Sequence, residues 1–410
     1  VIKGGKMERG NVLVIGNPEV GIKTLIRAVF GEESVETGWG PIDDIDELDI
    51  YESEIIPLRI IDAVCYKPSF VIEPPFIKEQ RVINSVKKWS NSRYKEGHKD
   101  NQINLIWLCV DGTMGKEFTE TLKNLSRLTP AWESVPIVVV ITKSYSVGER
   151  EKNIEMANNV FADQKKSSKN LRKIIPVVAA TYSLNERAFA PPEGISELID
   201  VTNELMPEGT RAADKAVSTL VLNQKRTMAH SLVGLSTAAA VTVCAVPFSL
   251  ADGVLLIPLE IAEIKGLAKI YGIKDDENSK QFFNTIVEVG AVTIAAKAAI
   301  GALKLIPGIN LATSVINAIV GGAIVAAIGE GSIFVYEKIY LGEKSVADIE
   351  WVKNVMEATL TSQFMEKVTL IVEKITKLDN PKDIGKILPD ILTDVFSHSD
   401  SKNPSTKESL

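Results

Sequence analysis

Val12-Leu13-Val14-Ile15-Gly16-Asn17-Pro18-Glu19-Val20-Gly21-Ile22-Lys23-Thr24-Leu25-Ile26 is the stretch on which the fold turns. An apolar, β-branched run leads into two glycines at the spacing Gly16-x4-Gly21, and a helical pattern follows. Strand, tight loop and helix in that order place backbone N–H groups and a helix N-terminus where they can cradle phosphate. The same order also serves as a plain folding unit, so the flanking sequence decides its meaning.

Outward from this loop, the chain alternates apolar runs with amphipathic stretches. Pro57–Val64, Ile103–Asp111, Pro136–Lys143 and Lys173–Ala180 are near-continuous apolar runs, as is Val12–Gly16. Runs apolar on both faces suit strands buried by helices above and below, so they predict a mostly parallel, doubly wound α/β sheet. Asp49–Ile55 alternates instead, as an antiparallel edge strand would. Helical patterns fall between the runs, at Thr24–Val29, Lys78–Trp89, Phe118–Leu128, Glu149–Phe161 and Gly194–Met206. Pro207-Glu208-Gly209 then marks a domain boundary.

Asn17-Pro18-x-Val20-Gly21 resembles the phosphate loop of Era- and TrmE-type GTPases, and the resemblance covers about residues 8 to 207. It implies a P-loop G domain that binds GTP with Mg²⁺. In such proteins a lysine and a Ser or Thr follow the second glycine; the lysine reaches the β and γ phosphates and the hydroxyl ligates the metal. Here those two positions are Ile22 and Lys23, with Thr24 next. A loop shifted by one residue would restore Lys23 and Thr24 as the working pair. The switch I region, Gly38–Ile50, is acidic and holds no Thr, leaving Thr37 as its candidate. Switch II reads Asp62-Ala63-Val64-Cys65, which keeps the Asp and lacks the glycine. The guanine-reading motif reads Thr142-Lys143-Ser144-Tyr145, so the lysine can stack on a base while Tyr145 offers no bidentate acceptor. That hydrogen-bonded discrimination has no apolar substitute. The last motif is Ala179-Ala180-Thr181.

The expected nucleotide contacts, if the site is used, are therefore Gly16, Asn17, Gly21, Ile22, Lys23, Thr24, Asp62, Thr142, Lys143 and Ala180. Thr24 and Asp62 would face Mg²⁺, and no catalytic residue is assigned. The resemblance with these replacements predicts weak or absent GTP binding and hydrolysis.

Composition narrows the alternatives. The chain has 410 residues and a formal net charge of -7, which does not fit a general nucleic-acid coat protein. The basic run Lys165–Lys173 and the acidic run Asp43–Asp49 read as solvated surface. Cys65, Cys109 and Cys244 are scattered in apolar context, so neither a disulfide framework nor a zinc site is expected. His98, His230 and His398 stand far apart, which disfavours a histidine metal cluster or a catalytic triad.

After about residue 212 the sequence turns rich in Ala, Gly, Val, Leu and Ile. Ser231–Ala251 and Leu305–Gly329 carry no charge, and each is long enough to cross a bilayer core as a helix. Phe282–Leu303 is a third apolar helix, and two amphipathic helices are expected at Val346–Lys377 and Lys382–Phe396. Pro247, Asp252, Pro258, Ala268–Gly272 and Lys304–Gly308 resemble an uncharacterised helical family fused behind Era-like G domains. That family is regarded as membrane-associated. Two readings stay open, and a switchable state, soluble until a trigger exposes the hairpin, accounts for the features of both. In one, both segments insert and Lys225 and Arg226 hold the leading end in the cytoplasm. In the other, the helices form a soluble bundle with Asp252, Glu260 and Glu263 at its surface or ends.

The expected organisation is an extension at 1–7, a G domain at 8–209, an apolar helical domain at 210–342, amphipathic helices at 343–397 and a disordered tail at 398–410. The expected function is a regulatory or scaffold module, cytoplasmic with peripheral or hairpin association to the inner membrane face. Its expected partners are a membrane, another G domain or a protein, with no specific nucleic acid. The alternative is an active GTPase that uses Lys23 and Thr24, coupled to membrane or ribosome-linked events.

Overall fold

A seven-stranded sheet runs in the order β2-β3-β4-β1-β5-β6-β7. It comprises β1 (Gly10–Gly16), β2 (Val35–Glu36), β3 (Leu48–Glu52), β4 (Leu58–Val64), β5 (Leu105–Asp111), β6 (Ile137–Thr142) and β7 (Leu171–Pro176). The structure is a computed structural model describing residues 9–17, 19–31, 35–36, 48–53, 55–64, 80, 82–90, 102–164, 167–185, 188–245, 256–277, 279–290, 312–361, 364–376 and 384–397. Pro18, most of the switch I region, Cys65, Pro247, Asp252, Lys304–Gly308 and the C-terminal tail lie outside these residues.

β1 sits between β4 and β5 and is parallel to both, and β5-β6-β7 continue in parallel. β3 runs antiparallel to β4, as its alternation suggests, but β2 pairs outside it and takes the edge. The central strands alternate between two buried faces. Leu13, Ile15, Ile61, Ile106, Leu108, Val139 and Ile141 share a core with α2 (82–90), α3 (Phe118–Ser126) and α4 (Val147–Ala162). On the other face the Trp107 indole donates to Thr202 Oγ1 of α5 (Ile195–Leu205) at 3.1 Å. α1 (Ile22–Phe30) packs against α5 on this side. Helices on both faces explain why these strands read as unbroken apolar runs.

The chain divides into two compact units, Val1–Ala180 with Pro192–Gln224, and Thr181–Pro191 with Lys225–Leu410. Helix α6 (Asp214–Cys244) contributes to both. The excursion Thr181–Pro191 forms an antiparallel hairpin, β8 (Tyr182–Asn185) and β9 (Ala188–Ala190), which belongs to the second unit.

The second unit is a helical bundle of α7 (Ile257–Tyr271), α8 (Lys280–Gly290), α9 (Thr313–Tyr340), α10 (Ile349–Thr361), α11 (Phe364–Thr376) and α12 (Ile384–Ser397), with the latter part of α6. Helix α9 is its axis, packed by α7, α8, α10, α11 and α12. α7 starts with Pro258 in its first turn, where a missing N–H costs nothing, and stops at Gly272 in the left-handed region (φ 78°). The expected single helix Val346–Lys377 is instead two, α10 and α11.

Among the described residues, two helices, α6 and α9, are long and apolar enough to cross a membrane. The uncharged stretch from Ser231 is the second half of α6, whose first turns are charged; α9 runs on past Gly329 into Glu330 and Glu337. The most apolar window of α9 is 89 % buried in the bundle, against 44 % for α6. Lys225 and Arg226 are engaged inside the unit, Lys225 Nζ donating to the Ile270 carbonyl at 2.5 Å and Arg226 pairing with Glu337. The soluble reading placed Glu260 and Glu263 at the surface or ends of the bundle. Both are fully buried, because they lie on the face of α7 that packs into the core.

Candidate functional site

The C-terminal ends of β1, β4, β5 and β6 form one rim of the sheet, at the point where the chain goes from β1 to neighbours on opposite sides. In open α/β sheets this crevice is where ligands bind. At the end of β1 the backbone turns tightly. A Cβ on Gly16 would lie 3.0 Å from Val20 Cγ1, 3.1 Å from the Cys109 carbonyl oxygen and 3.1 Å from Ile22 Cδ1. Gly21 caps α1 with φ 93°, a conformation that favours glycine, and the Leu25 amide donates to its carbonyl at 2.9 Å. Glu19 also has positive φ, at 68°.

The next three residues diverge. Ile22 is 8 % exposed, its side chain folded back toward Gly16, whereas Lys23 and Thr24 stand exposed on the first turn of α1. Lys23 Nζ lies 3.6 Å from Asp49 Oδ2 on β3. Asp49 is the cross-strand partner of Asp62, which is buried near the end of β4. Burial and the neighbouring Asp62 charge push the Cys109 thiol far up, so this thiol stays protonated.

β6 delivers Thr142 and Lys143 to the same rim. The Thr142 hydroxyl donates to the Val20 carbonyl at 2.7 Å, tying the end of β6 to the loop after β1. The Val110 carbonyl is also within reach, at 3.2 Å. Lys143 has φ 51°, and its ammonium donates to Asp111 Oδ2 at 2.7 Å. Asp111 Oδ1 accepts from the Thr113 amide at 2.8 Å and from its hydroxyl at 2.7 Å. Partial burial of Asp111 opposes ionisation, but the bonds from Lys143 and Thr113 outweigh it and hold the carboxyl below its usual range. Ser144 turns inward, its hydroxyl donating to the Ile141 carbonyl at 2.8 Å, and Tyr145 is half-buried. Ala180 is exposed beyond β7.

Thus Gly16, Asn17, Gly21, Ile22, Asp62, Thr142 and Lys143 all sit on the rim or its loop, with Lys23 and Thr24 just outside on α1. Sequence reading gave no role to Asp111 or to the Val20 carbonyl. Asp111 closes a buried strand, a position that could have been singled out, but nothing in the sequence names its lysine partner.

The strand order, with one antiparallel strand beside a parallel set and a glycine loop between β1 and α1, is that of a P-loop G domain, here followed by a helical unit. No family of known proteins matches the sequence, and no curated protein does. Among solved structures, the elongation factor SelB from Methanococcus maripaludis with a GTP analogue is 17 % identical, with TM-score 0.28, over 43 % of this chain and 31 % of that one. A probable GTP-binding protein EngB is 17 % identical, with TM-score 0.29, over 48 % of this chain and 98 % of that one. Era in complex with MgGDPNP and a piece of 16S ribosomal RNA is 17 % identical, with TM-score 0.30, over 55 % of this chain and 68 % of that one.

Proposed function

We propose that this protein is a regulatory or scaffold module built on a G domain whose nucleotide chemistry is reduced. One observation carries the reading: Ile22, at the position that supplies the phosphate-gripping lysine in Era-type proteins, is buried and packed back over Gly16. A hydrocarbon there offers no charge to the β and γ phosphates. The residues also fit Mg²⁺ poorly, since the position that would supply the metal-binding hydroxyl is Lys23, a cation turned toward Asp49. Lys143, the base-stacking candidate, is held by Asp111, and Tyr145 gives no carboxylate to read guanine.

In this reading the rim recognises a protein or a second G domain, with nucleotide a weak ligand. The helical unit stays folded as a bundle and meets a membrane surface only when α9 is uncovered. The exposure of Lys23 and Thr24 on the first turn of α1 favours a second reading, an active GTPase with a loop shifted by one residue. Isothermal titration with GTP, GDP and ATP in Mg²⁺ separates the two. Weak or absent heat, unchanged by Lys23→Ala and increased by Ile22→Lys, is expected; sub-micromolar binding that needs Lys23 rejects the proposal.

A further inference from the structure

Glu260 and Glu263, one turn apart on α7, are both fully buried in the core of the helical unit. Neither carboxyl oxygen of Glu260 has a hydrogen-bond partner, and the Ser236 hydroxyl is the one polar group set against Glu263 among the described residues. The hydroxyls of Ser236 and Thr237 on α6 and of Ser332 on α9 are buried in the same place, Ser236 against Glu263 and Ser332 against Tyr336. Ser236 and Tyr336 lie beside Glu263, and Glu263 Oε1 presses so close to α9 that a Cβ on Gly329 would meet it at 2.8 Å. The oxygens therefore gather where α6, α7 and α9 meet, inside an otherwise apolar core.

Charged carboxylates without partners do not persist in such a place, since isolated ions are too costly to bury and the group is neutralised instead. Neutralisation requires a basic side chain, a metal cation or a proton. The groups on the packed elements exclude the first among the described residues. From α6, Lys225 donates to the Ile270 carbonyl, Arg226 pairs with Glu337, His230 Nδ1 bonds Glu330 Oε1 at 2.9 Å, and the Cys244 thiol lies beside Glu260. From α9, Glu330 and Tyr336 face the pair, and the Tyr336 hydroxyl donates to the Ile264 carbonyl at 3.2 Å. Lys265 of α7 pairs with Asp275, Lys280 of α8 pairs with Glu277, Glu288 is the other charge on α8, and β9 carries none. Asp252, Lys297 and Lys304 lie outside the described residues. A metal is disfavoured because no group of three or more ligating side chains converges among the described residues. A proton needs no cavity.

We infer that Glu260 and Glu263 form a buried proton-binding site that locks α7 against α6 and α9, closed when both carboxyls are protonated and opened by their ionisation. Burial alone holds the Glu260 carboxyl up to about 8. Glu263 is raised well above its usual range by burial first, then by the charges of Glu260 and Glu330. Glu260 keeps its proton at neutral pH where an unfolded chain would release it, and Glu263 is shifted in the same direction. The lock is complete in mild acid and weakens as the pH rises.

Hydrogen exchange read by mass spectrometry on the full chain tests this. After correction for base-catalysed exchange, α7 and the facing stretch of α9 should open by about tenfold more per pH unit, for each proton released, between pH 6 and 8. The double variant Glu260→Gln/Glu263→Gln, neutral at every pH, should show no such slope. An equal slope in variant and wild type overturns the proposal, as does full protection of the wild type at pH 8 by added K⁺, Mg²⁺ or Ca²⁺. Should the double variant fail to fold, Glu260→Gln alone should reduce the slope, and an unreduced slope counts against the site.

Discussion

Lys143 adopts a left-handed backbone conformation with its ammonium on Asp111, and this pair closes the base-reading corner of the rim. The pair is part-buried, so Asp111→Asn should cost about 1 kcal/mol at pH 7, within the range for hydrogen-bonded ion pairs near a surface. Asp111 has a lowered folded-state pKa, so its stabilisation is present above about the unfolded value of 3.8 and is lost as the pH falls below it. Urea midpoints of wild type and variant should therefore converge in acid; a constant gap would show that the pair does not act through charge. Gly112 is constrained by space, since a Cβ there would lie 2.9 Å from the Thr142 carbonyl oxygen. Gly112→Ala should destabilise by about 1–3 kcal/mol, the usual cost of overpacking, in the same urea assay. The sequence made Lys143 visible through its motif, but not Asp111, because an ion pair across 32 positions is set by the parallel pairing of β5 with β6. The burial of Glu260 and Glu263 is hidden from the sequence for a related reason. Carboxylates are normally solvated, and only the packing of α6 and α9 places these two inside.

At the scale of elements, the sheet was the most legible part. Strands buried on both faces leave a continuous apolar signature, so β1, β4, β5 and β6 stand within a residue or two of their expected limits. The hairpin β8–β9 left none: Tyr182-Ser183-Leu184-Asn185 shows neither strong alternation nor a glycine turn, and Phe189 finds its apolar surroundings in the helical unit. Helix α9 draws its close packing from small residues. A Cβ on Gly329 would lie 2.6 Å from Val233 Cγ2, a stiff β-branched side chain that cannot swing aside. Gly329→Ala should lower the stability of the helical unit by about 1–3 kcal/mol despite the better helix propensity of alanine. A gain in its melting temperature would mean that α6 and α9 are not held this close.

One hydrophobic core lies against a face of the sheet and another surrounds α9. Two cores permit two unfolding transitions, and the raised carboxyls of Glu260 and Glu263 lie in the second. An unfolded Glu260 gives up its proton near 4.5 while the folded one retains it to about 8, so stability falls as the pH rises between these values. The transition of the helical unit should weaken by up to about 1.4 kcal/mol per pH unit for the Glu260 carboxyl over that window, with Glu263 acting in the same direction. The transition reported by buried Trp107 in the sheet should not share this slope. Guanidinium unfolding at pH 6 and 8 of a Trp351→Phe variant, which leaves tryptophan emission to the first unit among the described residues, followed by helical circular dichroism and that emission, checks both; a common slope in the two signals would contradict it.

The chain leaves the first unit at Thr181, re-enters it at Pro192 and departs again after Gln224. No single cut therefore yields two intact pieces. A recombination event with one breakpoint delivers either a sheet trailing a stranded hairpin or a helical body missing Phe189. Exchange of either half for a foreign counterpart requires three matched junctions, which favours inheritance of the pair together.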